Sequence, residues 1–246
     1  MNESEFAVGD SALLKISIRS GRVSVESGEP GSVSISVDTR DPTFEVRQRG
    51  DVIVAAGDRG DRTYVTARVP AISDIEISTA SADVNVEAGL RRLEVSSASG
   101  DITFDSTHTL ETKSASGGVT GRQVSGEARC VTASGSIRIE ELLELADLST
   151  ASGNINVDRC AGSLICATTS GNIKIGELTG PSANIKSMSG AVRIGIPTGT
   201  RLDLDANTFS GKVTLPSPNP SPEPPEREIT ARVRLVSGDL RIDRTG

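Results

Sequence analysis

The chain has 246 residues with 33 Asp plus Glu against 26 Lys plus Arg, a formal charge of −7, so it offers nucleic acid no basic face at the level of composition. Aromatic residues make up only 2% of it, with no Trp, one Tyr and four Phe, which suits a narrow tube filled with Val, Ile, Leu and Ala better than a broad enzyme core. No run approaches the ~18 apolar residues of a membrane span, and the polar, acidic Met1–Asp10 lacks the basic and apolar regions of a signal peptide, so a cytoplasmic location is expected.

Residues 1–75 alternate apolar and polar positions in short segments: Leu14 to Ile18, Val23 to Val25, Val33 to Val37, Val52 to Val54 and Tyr64 to Val69. Each is a strand with one buried face, separated from the next by turn signals at Gly21, Gly31, Asp41-Pro42, Gly50 and Gly57 to Gly60. Two Arg-Gly-Asp triplets, at 49–51 and 59–61, fall where hairpin tips are expected. The segment Ser20-Gly21-Arg22-Val23-Ser24-Val25 already resembles the unit that dominates the rest of the chain.

That unit is a Ser-Gly turn followed by a short strand, anchored on serines 81, 99, 116, 134, 152, 170, 189, 210 and 237. Successive gaps are 18, 17, 18, 18, 18, 19, 21 and 27, a period near one turn of a β-solenoid and too short for helix-pair repeats or propeller blades. Counted from each serine, offsets +3 and +5 are apolar (Ile137/Ile139, Ile155/Val157, Ile173/Ile175) while +4 is polar. Before the serine, −6 and −4 are apolar or small, and Thr or Ser stands at −2. Inward positions are even before the glycine and odd after it, so one residue of phase is lost there, at a tight corner. A second phase loss between +5 and +8 marks another corner.

Eighteen residues is also the coil length of the hexapeptide β-helix, but offset +9 holds Leu143, Ala161 and Thr179, so the six-residue echo fails and that fold is rejected. The expected fold is all-β: a single-stranded parallel β-helix, right-handed as parallel crossovers usually are, with about 18 residues per rung. Residues 1–75 form a β-rich N-terminal cap continuous with it, which shields the open end of the core, and residues 76–246 hold the β-helix repeats. A proline-rich insertion at 216–227 explains the longest gap and is expected to be a surface excursion. Cys130 and Cys166 fall at −4 and Cys160 at +8, all apolar columns, so buried reduced thiols are expected. Cys130 and Cys166 lie two rungs apart, roughly 10 Å at strand spacing, too far to bridge.

The pattern S-G-[DNS]-[IV]-x-[IV], repeated at this period after a β-rich start and a Val69-Pro70 junction, resembles the DUF4097 family of adhesin-like β-strand repeat proteins, related to adhesin head domains of the GIN type. The resemblance covers roughly residues 10–244. It implies a single-stranded parallel β-helix and, since family members are often secreted or membrane-tethered, an association with the cell envelope. It carries no catalytic signature.

His108 is the only histidine, in the segment after Phe104 where a loop is expected, so a His-based triad or multi-His metal site cannot form within one chain. Asp101, Glu140, Glu141, Glu144, Asp158 and Glu177 lie near corners without the spacing of a calcium loop and are expected to form a solvated rim. At +2, Asn154 and Asn172 are placed for a side-chain amide ladder. The outward +4 column stacks Arg138, Asn156, Lys174 and Arg193, with Arg241 at the far end, a candidate interaction stripe with about 5 Å between neighbours. No catalytic residue, cofactor or metal ligand is assigned. The expected function is a non-catalytic solenoid that presents its walls to a protein partner or to itself, without nucleic acid or a small-molecule ligand. A self-polymerising scaffold of the bactofilin type and a carbohydrate-binding or carbohydrate-cleaving β-helix are the alternatives.

Overall fold

The computed structural model describes residues 2–57, 59, 62–216, 225 and 227–245. Strands and turns account for them, and no helix among them is long and apolar enough to cross a membrane. Contacts divide the chain into two compact units, Met1–Arg122 and Gln123–Gly246.

In the first unit the strands are β1 (Asn2–Ala7), β2 (Leu13–Ser27), β3 (Ser32–Asp38), β4 (Glu45–Arg49), β5 (Val52–Ala56), β6 (Arg62–Val69), β7 (Asp74–Ser97) and β8 (Ile102–Ser114), with β9 (Val119–Val124) at its end. The Ser20-Gly21 segment is a true rung: β2 runs parallel to β7 with Ser20 opposite Ser81 and Val23 opposite Val84. On its other edge β2 pairs in parallel with β5 and β6, Leu13 opposite Val52 and Val23 opposite Val65. Spatial order therefore departs from chain order, with β5 and β6 outside β2. The outer edge of that rung is covered by antiparallel strands, β4 on β5 and β3 on β6, with β1 antiparallel to β3. An antiparallel neighbour ends a parallel stack and hides the unpaired backbone groups of its last strand.

The second unit alternates two walls. One is built of β10 (Ala128–Thr132), β12 (Ala146–Thr150), β14 (Leu164–Ser170), β16 (Ser182–Ser189), β18 (Thr200–Ser210) and β20 (Arg227–Ser237). The other is built of β11 (Ile137–Leu142), β13 (Ile155–Cys160), β15 (Ile173–Leu178), β17 (Val192–Pro197), β19 (Val213–Thr214) and β21 (Leu240–Thr245). All pair in parallel at the expected register, Ile137 with Ile155, Ile155 with Ile173, and Ile173 with Val192. Here too the last rungs exchange places. β16 pairs with β20, and β20 with β18, so that Ser189, Ser237 and Ser210 stack in that order. The rung 200–214 is outermost although it comes earlier in the chain. Most of the proline-rich segment, residues 217–224 and 226, lies outside the described residues.

Each conserved-looking offset of the repeat has a bonding reason. The Thr or Ser at −2 is buried, and its hydroxyl accepts the N–H three residues on: Gly100 to Ser97, Gly117 to Ser114, Gly135 to Thr132 and Gly153 to Thr150, at 2.9–3.0 Å. This side-chain bond satisfies a donor that the corner would otherwise strand. In the next copies the corner opens. Gly171 N–H turns to Ser189 O at 3.0 Å and Gly190 N–H to Ser237 O at 3.1 Å, leaving the buried hydroxyls of Thr168 and Ser187 without a partner. At +2 the side-chain oxygen of one rung accepts the backbone N–H of the next: Asn154 N–H to Ser136 Oγ at 3.2 Å, Asn172 N–H to Asn154 Oδ1 at 2.8 Å, and Ala191 N–H to Asn172 Oδ1 at 2.9 Å. The Asn154–Asn172 ladder is thus a side-chain-to-backbone ladder, not an amide-to-amide one, and Asp, Asn and Ser all fit because each supplies an acceptor oxygen. Replacing Asn172 by Ala should cost about 1 kcal/mol and Asn172→Asp less, read as midpoints in urea unfolding.

All three cysteines are buried and unbridged, with Cys130, Leu148 and Cys166 stacked on successive rungs. Burial pushes the Cys160 thiol from 9.0 up to about 11, and raises Cys166 further. A raised folded-state pKa means the native chain holds these protons more tightly than the unfolded one, so stability is complete below pH 9 and falls as pH rises toward about 11. Urea unfolding at pH 7, 9 and 10.5 should show that decline, and Cys160→Ala should flatten part of it.

Candidate interaction wall

The outward +4 positions form one continuous column on the wall of odd-numbered strands. Arg138 lies opposite Asn156, Asn156 opposite Lys174, Lys174 opposite Arg193, Arg193 opposite Arg241, and Arg241 opposite Thr214. The strands fix this because Ile or Val at +3 and +5 is buried on either side, which turns +4 outward. Arg138, Lys174, Arg193 and Arg241 are exposed and Asn156 is half-buried.

The column is not uniform. Near Arg138 and Asn156, the +6 positions carry Glu140 and Asp158, whereas beside Lys174 and Arg193 they are Gly176 and Gly195. At +2 the rung of Arg193 has Ala191, which opens a notch between Asn172 and Asp239. The result is a shallow groove of about 470 Å³ bordered by Lys174, Arg193, Lys212 and Arg241, with Asn172, Ala191 and Asp239 also lining it. Asp243 holds Arg241 at 2.8 Å and Arg193 at 3.7 Å. Lys174, Lys212 and Arg138 form no ion pair among the described residues. Long cationic side chains set at one-rung intervals along a strand wall suit an acidic, extended ligand. Lys212 is absent from the stripe drawn from sequence because that stripe follows +4 alone, where this copy has Thr214, whereas Lys212 stands at +2 from Ser210.

Other candidates disperse. His108 lies inside β8, not in a loop, because Ser106 to Thr112 pair with Gly89 to Val95. Asp101 accepts the Gly118 N–H at 2.8 Å, and Glu141 and Glu177 flank Arg159 at 3.5 and 3.4 Å. Among the described residues no group of three or more His, Cys, Asp or Glu is placed to hold a metal. Arg49-Gly50-Asp51 does form the tip of the β4–β5 hairpin, with Asp51 accepting the Gly9 N–H at 2.9 Å. Gly60 and Asp61 of the second triplet lie outside the described residues.

The repeat, its register and its β-rich beginning find their counterpart in one family profile, Toastrack DUF4097, which matches residues 9–243. The chain belongs to the DUF4097 family. A solved structure of a candidate adhesin from Bacteroides fragilis aligns over 98% of this chain and 96% of its own, with a TM-score of 0.56 and 13% identity. Candidate adhesins from Parabacteroides distasonis and Parabacteroides merdae align over similar lengths at 11% and 14% identity, with TM-scores of 0.39 and 0.37. Comparison with curated proteins finds no match. At these identities the likeness of this DUF4097 chain to the Bacteroides fragilis structure concerns the fold alone, and the wall's chemistry is argued from its own residues.

Proposed function

We propose that this DUF4097 chain is a non-catalytic β-solenoid scaffold, with residues 1–75 as its cap, that docks an acidic segment of a protein partner on the wall carrying Arg138, Asn156, Lys174, Arg193 and Arg241. The observation that supports this reading is the groove itself, where Lys174, Arg193, Lys212 and Arg241 lie together on one stretch of the wall and the +6 positions beside Lys174 and Arg193 are Gly176 and Gly195. The mechanism is geometric: the parallel ladder holds the cations at one-rung intervals, so their charges add over a short stretch without reorganisation. The chain's net charge of −7 makes this wall a local exception and turns acidic partners away from other surfaces.

The test is fluorescence-anisotropy titration with a labelled peptide of alternating Glu and Thr. Lys174→Glu/Arg193→Glu should weaken binding by roughly tenfold or more, and binding to the unaltered chain should fall with added salt. The matched control Arg129→Glu/Lys186→Glu, on the wall of even-numbered strands, should leave it unchanged. Equal loss in both variants, or none in either, contradicts the reading.

A further inference from the structure

β18 and β19 are the outermost strands of the second unit, and β18 is much the longer. β18 is 11 residues long and pairs along one edge with β20, and among the described residues no strand lies on its other edge. In the first unit the corresponding free edges of β5 and β6 carry antiparallel strands. Alternate backbone N–H and C=O groups of β18 therefore face outward, a template for another strand. Its core-side column, Leu202, Leu204 and Ala206, is only half-buried, and Phe209 on the outer column is 90% exposed.

We propose that this edge is a homodimer contact, in which two β18 strands from two copies of the chain pair antiparallel about a two-fold axis at Asp205. A two-fold contact brings the same edge to itself and so forces antiparallel pairing. The sequence Thr200-Arg201-Leu202-Asp203-Leu204-Asp205-Ala206-Asn207-Thr208-Phe209-Ser210 is self-complementary in that register. On the core side Leu204 faces Ala206 of the second copy and Leu202 faces Thr208, closing the half-exposed column. On the outer side Arg201 faces Phe209, a cation over an exposed ring. Asp203, which forms no ion pair among the described residues, faces the Asn207 amide. The two central Asp205 carboxylates tolerate each other because each is already held by Arg234 and Arg232 of its own chain. All 11 residues pair, and no charge is left opposite an uncompensated like charge. This contact is made by β18, on the wall of even-numbered strands, and uses none of Lys174, Arg193, Lys212 and Arg241, so it is argued independently of the acidic partner.

The test is sedimentation velocity of the full chain from about 1 to about 100 µM, together with cross-linking of Asp203→Cys/Asn207→Cys under a mild oxidant. Opposed positions of an antiparallel pair have Cβ atoms about 5 Å apart, within disulfide reach, whereas residues 203 and 207 of one strand are roughly 13 Å apart. The native thiols are buried and stay silent. The account expects a monomer–dimer equilibrium and a disulfide-linked dimer from the double variant but from neither single one. Phe209→Asp, at an exposed position, should weaken the dimer by roughly tenfold or more. A monomer throughout, mass that keeps growing with concentration, or cross-linking equally strong in the single variants would each overturn the proposal.

Discussion

Gly153→Ala is expected to lower the stability of the chain by about 3–5 kcal/mol, among the largest effects of any single methyl group in it. A Cβ at Gly153 would lie 1.9 Å from Gly135 O and 2.6 Å from its carbonyl carbon, both backbone atoms of the adjoining rung. That rung is held by the Gly135 N–H to Thr132 Oγ1 bond and by the neighbouring ladders, so it cannot withdraw without breaking hydrogen bonds on two walls. The same approach recurs at Gly171, whose Cβ would meet Gly153 O at 2.0 Å, so at these rungs the corner glycines stack where a side chain would strike the neighbouring backbone. Urea unfolding followed by far-ultraviolet circular dichroism measures the loss. A change below about 1 kcal/mol would show that the corners yield more easily than their hydrogen bonds imply.

Gly121→Ala is the second large effect, and it is reversible by design. A Cβ there would sit 1.9 Å from Cζ of Phe104, whose ring is buried. Phe104 occupies +5 of one rung and Gly121 occupies +5 of the next, so the large ring fills the space that the glycine leaves and the two together keep the volume of two ordinary Ile or Val positions. Overpacking at such a site costs about 1–3 kcal/mol or somewhat more. Phe104→Leu alone should also destabilise, by leaving a void. The double variant Gly121→Ala/Phe104→Leu should recover much of the loss, a coupling read directly from a double-mutant cycle. Strict additivity of the two single effects would separate the residues that the structure joins.

These two sites also show what the sequence can and cannot convey. In the sequence Gly121 stands at +5 of Ser116, where every other copy has Val, Ile, Leu or Phe, yet the cause is not visible there, because one-dimensional spacing does not say that the ring of Phe104 reaches across to the next layer. The register of Ile137, Ile155 and Ile173 was legible, since a period of 18 with a phase slip at each glycine admits one stacking of inward residues. The exchanged rungs were not. The offset of a serine gives its place around the coil but not its height along it, so Ser20 against Ser81 and Ser237 between Ser189 and Ser210 emerge only from pairing. Lys212 was missed on the cationic wall because the stripe followed +4 alone and Lys212 stands at +2 from Ser210. The role of Asn154 and Asn172 was half-legible: the column predicts that they stack, whereas the structure shows each oxygen accepting the backbone N–H of the next rung rather than meeting an amide side chain.

Docking on this wall is our proposal, and its most direct test is a map rather than an affinity. Amide chemical shifts of the isotopically labelled chain, followed as the alternating Glu-Thr peptide is added, should move at residues 172–174, 191–193, 212–214 and 239–241, the four strands that border the groove, and hardly at all along β10, β12 and β14. Shifts spread over both walls, or concentrated away from these four segments, would contradict the account.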